Sequence, residues 1–334
     1  VTAEYQAFYR GRPVMITGGL GFIGSNLARR LADLGARVTV VDSLIPEYGG
    51  NLFNLDGYRR RIRVNLSDVR DRHSMDRLVA KQSFLFNLAG QVSHLDSMRD
   101  PFTDLEINCR SQLFILEACR HHNPDIRIVH SGTRQVYGRP RYLPVDERHP
   151  VSPVDVNGVN KVAGEWYHMV YHQAYGLRTT SLRLTNTYGP RMRVLDARQT
   201  FLGIWVRRLL EGQALLIYGN GRQKRDFNHV DDVVQALLLA AASPKAEGRI
   251  YNLGGREVVS LRELARRMIA MNGSGSSRLV PFPAEQKPID IGDYAGDFSA
   301  ITKDLGWRPR VSLAEGLAGT LAYYRTHRTK YWKA

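Results

Sequence analysis

The sequence predicts an α/β protein: a doubly wound parallel sheet, helices on both of its faces, and a smaller α/β lobe beside it. Three observations carry this. Short β-branched runs alternate with helical stretches through the first half of the chain. Several of those runs are continuously apolar, as strands covered on both faces have to be. A glycine-rich turn, "TGGLGFIG" at 17–24, joins the first run to the first helix.

The strands are "VMIT" (14–17), "RVTVVD" (37–42), "IRVNL" (62–66), "FLFNLA" (84–89), "RIVHSGT" (127–133) and "TTSLRLT" (179–185). Helical patterns fall between them at 22–35, 74–81, 104–122 and 157–175. After Thr185 the rhythm changes. "NTYGPRM" is turn-like, a helix follows at 198–211, and then comes "LLIYGNGRQKRDFNHV" (215–230). The helix at 231–243 and the run "RIYNLGG" (249–255) rejoin the sheet, and two more helices are expected at 260–271 and 312–327. "NGSGSS" (272–277) reads as a flexible loop. The expected division is 1–185 plus 230–255 for a nucleotide-binding unit and 186–229 plus 256–334 for a discontinuous second lobe. At 334 residues the chain exceeds what one hydrophobic core usually holds, which fits two units.

Composition excludes several classes. With 43% hydrophobic and 24% charged residues, the chain is globular rather than disordered. No apolar run approaches ~18 residues, so no membrane span is expected. The stretch "VTAEYQAFYRGRP" lacks the apolar core of a secretory signal. Cys109 and Cys119 share one predicted helix at an offset that suits neither a disulfide nor a zinc site. No metal is expected, and a reducing cytoplasm is the expected compartment. The net charge of +15 raises nucleic acid as a partner, but the basic residues are spread out and their densest cluster, "GYRRRIRV" (57–64), is short. An arginine-rich solvated surface is expected instead.

In the glycine turn, Gly18, Gly21 and Gly24 let the backbone turn tightly and approach a pyrophosphate. The helix opening at Phe22 and Ile23 supplies free N–H groups and a positive dipole end. Asp42, followed by Ser43, ends the next strand; its carboxylate can hold the ribose hydroxyls of NAD and would repel a 2′-phosphate. This is a Rossmann arrangement, and NAD is the expected cofactor, although Arg37 and other arginines lie close. Asp68 and Val69, in "NLSDVRD" (65–71), follow the third strand, where a carboxylate can accept from the adenine amino group. In "FNLAGQVSH" (86–94), Leu88 leads to the small residues Ala89 and Gly90, which permit close backbone approach to the cofactor, and Ser93 and His94 then point toward the mouth of the site. Thr133, in "HSGTRQVYG" (130–138), ends a strand where open α/β sheets bind ligands. Its hydroxyl can donate to a substrate oxygen whose negative charge grows during oxidation.

Together these motifs resemble the extended short-chain dehydrogenase/reductase family, within it the NAD-dependent nucleotide-sugar epimerases and dehydratases of UDP-glucose 4-epimerase type. Later stretches carry the resemblance in order: "RLTNTYGPR" (183–191), "YGNGRQKRDFNHVDDV" (218–233), "KPIDIGDYAGDFS" (287–299) and "LGWRPRVSLAEGLAGTLAYYR" (305–325). The resemblance implies a nucleotide-diphosphate sugar as substrate, met by Ser93, Arg134, Asn186, Arg191, Tyr218, Arg225, Lys287 and Asp290. It places Asn186 and Arg225 near the diphosphate and Asp290 near the nucleotide ribose, and gives Asn108 a structural role. Lys287 stands where the family usually has an arginine, keeping the charge without the bidentate fork. The resemblance also implies a homodimer, formed by the helices at 104–122 and 157–175 as a four-helix bundle. The aromatic run "GEWYHMVYHQAY" (164–175) fits such an interface.

The reaction the resemblance implies is transient oxidation, often at C4 of the sugar. A tyrosine phenolate takes the hydroxyl proton, and a lysine four positions later lowers that tyrosine's pKa and holds the nicotinamide ribose. In "SPVDVNGVNKVAGEWYH" (152–168) the lysine is Lys161, but the residue four positions earlier is Asn157. No tyrosine lies between Tyr142 and Tyr167 to take its place. Asparagine hydrogen-bonds a hydroxyl but has no usable pKa. Three explanations stay open: another base (Asp155, His94, Tyr137, or a water chain ending at Lys161), binding without turnover, or an introduced substitution. A second departure follows Thr133. The 4,6-dehydratases carry an acidic pair there; this chain has Arg134 and Gln135, so dehydration by that route is not expected. Arg134 suits a phosphate or a sugar carboxylate instead. The expectation is therefore an NAD-dependent C4 epimerase of a UDP-sugar, with Thr133, Asn157 and Lys161 at the reacting centre. The alternatives are a catalytically altered NAD- and sugar-nucleotide-binding protein, or another NAD-linked reaction such as decarboxylation.

Overall fold

The computed structural model describes residues 2–332. Twelve strands follow one another: β1 (Pro13–Thr17), β2 (Arg37–Asp42), β3 (Ile62–Leu66), β4 (Phe84–Asn87), β5 (Arg127–Thr133), β6 (Arg178–Leu184), β7 (Asn186–Tyr188), β8 (Leu215–Tyr218), β9 (Lys224–His229), β10 (Arg249–Asn252), β11 (Val258–Ser260) and β12 (Ser277–Val280). Seven of them form one sheet in the order β10-β6-β5-β4-β1-β2-β3. Every pairing in that sheet is parallel. The chain winds outward from β1 to β3, then returns to β4 on the other side of β1. That reversal opens a crevice at the carboxyl ends of the strands.

Alternation along each strand feeds two cores. Val14 and Ile16 of β1 and Phe84 and Phe86 of β4 join one cluster, with Leu27 and Leu31 of the helix Phe22–Asp33 and Leu237 of the helix Val230–Ala242. Met15 and Leu85 point the other way and meet Met75, Ile115, Leu116 and Cys119 from the helices Arg72–Leu78 and Ser111–His122. A period of two in the strands thus covers both faces of the sheet. The remaining strands make two small sheets, β11-β9-β7 and β12-β8.

Several elements differ from the sequence expectation. The segment expected to be one helix over 104–122 is three pieces: Pro101–Leu105, a wider π turn at Glu106–Arg110, and Ser111–His122. The π turn carries Asn108, and such turns often occur at functional sites. The glycine–serine stretch does not run as loop through 277. Gly273 caps the preceding helix at φ +78°, and Ser277 already pairs with Leu215 in β12. Short helices at Thr2–Tyr9, His94–Arg99 and Ser299–Leu305 had no period long enough to read.

The helix Val156–Tyr175 opens at Asp155, whose side chain accepts from Gly158 N–H, and closes at Gly176 in the left-handed conformation. A buried ion pair clamps it to the sheet. Glu165 accepts from Arg183 of β6 at 2.5 Å (Nη2) and 3.0 Å (Nε). The Arg183 guanidinium lies 4.7 Å from the ring centre of Tyr137 and donates to its hydroxyl. Glu165→Ala leaves Arg183 uncompensated in the interior. We expect a loss of ~3–5 kcal/mol in urea unfolding. A variant within ~1 kcal/mol of the parent would show that the pair is not an anchor.

Candidate active site

A cavity of about 750 Å³ opens at the carboxyl edge of the sheet. Its first part is lined by Gly18, Gly21, Phe22, Ile23, Gly24, Asp42, Ser43, Asp68, Val69, Leu88, Ala89 and Gly90. Two of the glycines are sterically required. Gly18 has φ +68°, and a Cβ there would sit 2.9 Å from the Ala89 backbone. A Cβ on Gly24 would lie 2.2 Å from the Gly18 carbonyl oxygen. Thr17 holds the facing strand end: its Oγ1 accepts from Leu88 N–H and Ala89 N–H, both at 3.1 Å, and donates to Asn87 Oδ1.

This part fits NAD. The helix Phe22–Asp33 has no side-chain cap at Gly21, so first-turn N–H groups face the cavity free for an anion. Asp42 accepts from Leu20 N–H (2.9 Å) and Leu44 N–H (2.8 Å), one on each oxygen, and keeps lone pairs for ribose hydroxyls. Burial raises the Asp42 pKa against those backbone bonds. Burial acts the same way on Asp68, but there Arg70, bonded at 2.6 Å, prevails and holds the carboxyl below its usual value.

Thr133, Asn157 and Lys161 line the same cavity. Lys161 is buried against Gly90 and Asn108: a Cβ on Gly90 would lie 2.6 Å from its Nζ. Burial brings the Lys161 pKa down to about 8, with the Asp104 charge opposing. Asn157 is a corner of a buried polar cluster. Its amide donates to Gln91 O (3.0 Å), Gln91 Oε1 (3.1 Å) and Asp104 Oδ2 (2.9 Å). Asn108 also donates to Asp104 Oδ2, and Asn160 to Oδ1 at 2.7 Å. The Asn157 donors are spent within the protein, and its carbonyl oxygen is left as an acceptor for the cavity. Sequence reasoning missed Asp104 and Gln91. The signal was present in the spacing: Asp104 and Asn108 stand one turn apart, as do Asn157 and Asn160 on the facing helix.

The three side chains considered as substitute bases separate clearly. Tyr137 is fully buried and does not line the cavity. Burial pushes its pKa up to about 12, and its hydroxyl is bonded to Asn252 and Arg183. Asp155 is 4% exposed and also off the lining; Oδ1 caps Gly158 and Oδ2 accepts from Gln135 Nε2 at 2.8 Å. Burial would raise its pKa, but His94 and those donors hold it below the usual value. His94 does line the cavity. Its side chain is 39% exposed, and Nδ1 lies 3.0 Å from Asp155 Oδ2.

In the far part of the cavity stand Ser93, Arg134, Asn186, Tyr218, Arg225 and Asp290. Arg134 Nη2 donates to Asn186 Oδ1 at 3.0 Å, and Arg225 lies 3.4 Å from Asp290. Two expected residues are not brought here. Arg191 donates to Asn26 Oδ1 at 2.6 Å and stacks over Tyr323, so its charge ties helices together away from the cavity. Lys287 is exposed and outside the lining, whereas its neighbours Gln286, Ile289 and Asp290 are in it. Sequence reasoning also missed Tyr48, Trp205, Arg208 and Phe282, isolated side chains that the fold brings to the lining.

The family model described as the NAD dependent epimerase/dehydratase family matches residues 14–254. The chain belongs to that family. A dTDP-glucose 4,6-dehydratase of Actinoplanes sp. is 32% identical over 331 residues, covering 96% of this chain and 99% of the relative. A UDP-glucose 4-epimerase of Mycolicibacterium smegmatis is 32% identical over 316 residues, covering 93% and 98%. Among solved structures, the dTDP-glucose 4,6-dehydratase of Streptomyces venezuelae with NAD bound superposes with a TM-score of 0.87 at 30% identity, covering 96% of this chain and 98% of that one. This family member is thus an enzyme whose cofactor is NAD, and among the described residues no helix is long and apolar enough to cross a membrane.

The buried lysine of this epimerase/dehydratase has a cost with a defined pH dependence. Its native pKa of about 8 lies below the value of 10.5 for an exposed lysine. Between the two the unfolded chain binds the proton and the native state does not, so stability rises with pH across that window. Below it the full penalty of burying the ammonium applies. Lys161→Met should stabilise the apoprotein at neutral pH by up to about 3 kcal/mol in urea denaturation. The gain should shrink as pH rises through the window. A gain that is absent at neutral pH, or constant across the window, would show that the ammonium is not desolvated.

Proposed function

We propose that this protein is an NAD-dependent nucleotide-sugar epimerase acting at C4 of a UDP-sugar. The observation that carries the reading lies at the end of β5. Thr133 and Lys161 share the cavity with the nucleotide cradle, and the two positions after Thr133 hold no acid pair for elimination. Gln135 is committed to Asp155, and Arg134 is a fixed cation. Proton removal and return around C5 and C6, as a dehydratase requires, therefore has no agent there. The 4-epimerase relative supports the same choice.

NAD, held by the glycine turn at 18–24 and by Asp42, would supply the hydride chemistry at the sugar carbon. The protein's own residues handle the proton and the developing charge. The Asn157 carbonyl oxygen accepts from the reacting hydroxyl and orients it. Thr133 donates to the oxygen as negative charge grows on it, and the Lys161 ammonium makes the local potential positive. His94 takes the hydroxyl proton at Nε2. Asp155 lies 3.0 Å from Nδ1, so its charge favours the imidazolium that forms. Three contacts run from one end of this set to the other: Gln135 N–H to Thr133 Oγ1 (3.2 Å), Gln135 Nε2 to Asp155 Oδ2 (2.8 Å), and Asp155 Oδ2 to His94 Nδ1 (3.0 Å). His94 would return the proton to the sugar oxygen and restore the hydroxyl, leaving the histidine as it began.

The test is to incubate the NAD-loaded protein with UDP-glucose, UDP-galactose and dTDP-glucose, following products by NMR and reduced nicotinamide by absorbance. C4 epimers are expected. His94→Gln should keep NAD and UDP binding and lose ~10²–10⁴ in turnover. Sugar nucleotides that bind without any product defeat the epimerase reading; full activity in His94→Gln removes the histidine from it.

The proposed assembly is a homodimer. Phe102 (76% exposed), Val159, Trp166 (50%) and Val170 leave an apolar stripe along the helices Pro101–Leu105 and Val156–Tyr175. Trp166→Glu should convert a sedimenting dimer to a monomer; a parent chain that sediments as a monomer removes this proposal.

A further inference from the structure

The nucleotide-sugar reading leaves one group in the cavity unexplained. Arg134 is the first residue of the short turn Arg134–Tyr137 and directly follows Thr133. Its guanidinium lies over Tyr294, 4.9 Å from the ring centre, and Nη2 donates to Asn186. Nη1 is sealed from solvent and has no hydrogen-bond partner in the protein. Among the described residues, no carboxylate reaches ion-pair distance of it. The nearest acid that attracts it, Asp226, is already occupied by the Thr185 hydroxyl and by Gly255 and Gly296 N–H. A guanidinium N–H left without an acceptor is unfavourable, and an anion beside the side chain offsets that.

A second arginine sharpens the point. Arg225 lies close enough that burial and then the Arg134 charge bring its pKa down to about 10. Among the described residues Asp290 makes the one ion pair with Arg225, at 3.4 Å, and Asp226 and Asp293 act on the pair from further away. Two guanidiniums thus stand at the same end of the cavity. Arg134 also adjoins Thr133, on the sugar side of the cavity. Part of its side chain is open to the cavity, and a planar guanidinium is the geometry that receives a carboxylate.

We propose that the sugar of the substrate is a uronic acid, and that Arg134 is the residue that selects it by receiving its carboxylate. This rests on the nucleotide-sugar reading and names the substrate class of that same site. The competing source of the same chemistry is the diphosphate itself, whose oxygens would equally satisfy Nη1.

The experiment is calorimetric titration of the NAD-loaded protein with UDP, UDP-glucose, UDP-glucuronate and UDP-galacturonate. A charge-assisted bond to a desolvated arginine predicts that at least one uronate binds ~10–100-fold more tightly than UDP-glucose. Arg134→Gln should erase that preference and leave UDP affinity within ~3-fold. Arg134→Lys, which keeps the charge without the fork, should retain part of the preference. Unchanged NAD affinity in both variants reports an intact fold. Equal affinity of the parent chain for UDP-glucose and both uronates overturns the proposal. So does an Arg134→Gln variant that loses UDP affinity as much as uronate affinity, which would assign the arginine to the diphosphate. A protein that holds NAD but binds neither UDP nor dTDP overturns the nucleotide-sugar reading itself, a result distinct from either of the others.

Discussion

One buried carboxylate organises the reacting end of this enzyme. Asp104 is 1% exposed and accepts from three asparagine amides: Asn108 beside it, and Asn157 and Asn160 on the helix that carries Lys161. A carboxylate in the interior has to be paired or fully hydrogen-bonded, and these amides supply the bonds. Its remaining charge opposes the burial of Lys161 and favours the ammonium. The consequence is geometric as well as electrostatic. The Lys161 helix is pinned at its first turn to the broken helix opposite, while Glu165 pins its middle to β6. Lys161 lies between those two restraints, pressed against Gly90, where even a methyl group would displace it.

The same restraint commits the side chain at position 157 to the protein interior. A phenol there would remove the amide that bridges Gln91 and Asp104 and strand a buried acceptor, so the cluster and the family's usual tyrosine exclude each other locally. A second carboxylate stands two residues earlier, at the N-cap. Asp155 caps the helix with one oxygen and faces His94 with the other, so the residue that begins the helix also orients an imidazole at the cavity wall. Ser97 links the two features, accepting from Asn157 N–H and donating to the His94 carbonyl. Changing the helix start would move both.

Much of the molecule was legible in the sequence, and the limits have physical causes. The parallel strands were readable because strands buried on both faces must be apolar throughout. The cofactor half was readable because Gly18 and Gly24 are dictated by local backbone contacts. The helix over 104–122 was read as continuous because side-chain period does not reveal a single widened turn. Arg191 and Lys287 were placed by resemblance alone, and their actual partners, Asn26 for the one and solvent for the other, depend on long-range packing that no local pattern encodes. Asn157 was singled out as a departure from the tyrosine that the resemblance implies. Its bonds to Gln91 and Asp104 span separations of 66 and 53 residues, so its role could not be read locally.

Those bonds bear on whether Asn157 is a remnant or a built part. A site that loses a large side chain leaves a void, or polar neighbours without partners. Around Asn157 the reverse holds: its amide makes three hydrogen bonds, and Gln91, Asp104 and Asn160 are shaped to receive or extend them. Among the described residues, two buried unpartnered groups lie beside the cavity, at Asn108 Oδ1 near the lysine and at Arg134 Nη1 near the threonine, while Gln82 Oε1, Asn228 Oδ1 and Trp332 Nε1 are unpartnered away from it. The first two belong to residues grouped around the reacting centre, where a ligand can complete what the protein leaves open. The Asn157 cluster itself is closed, so the asparagine is a packed part of the site and not a gap left by a larger side chain.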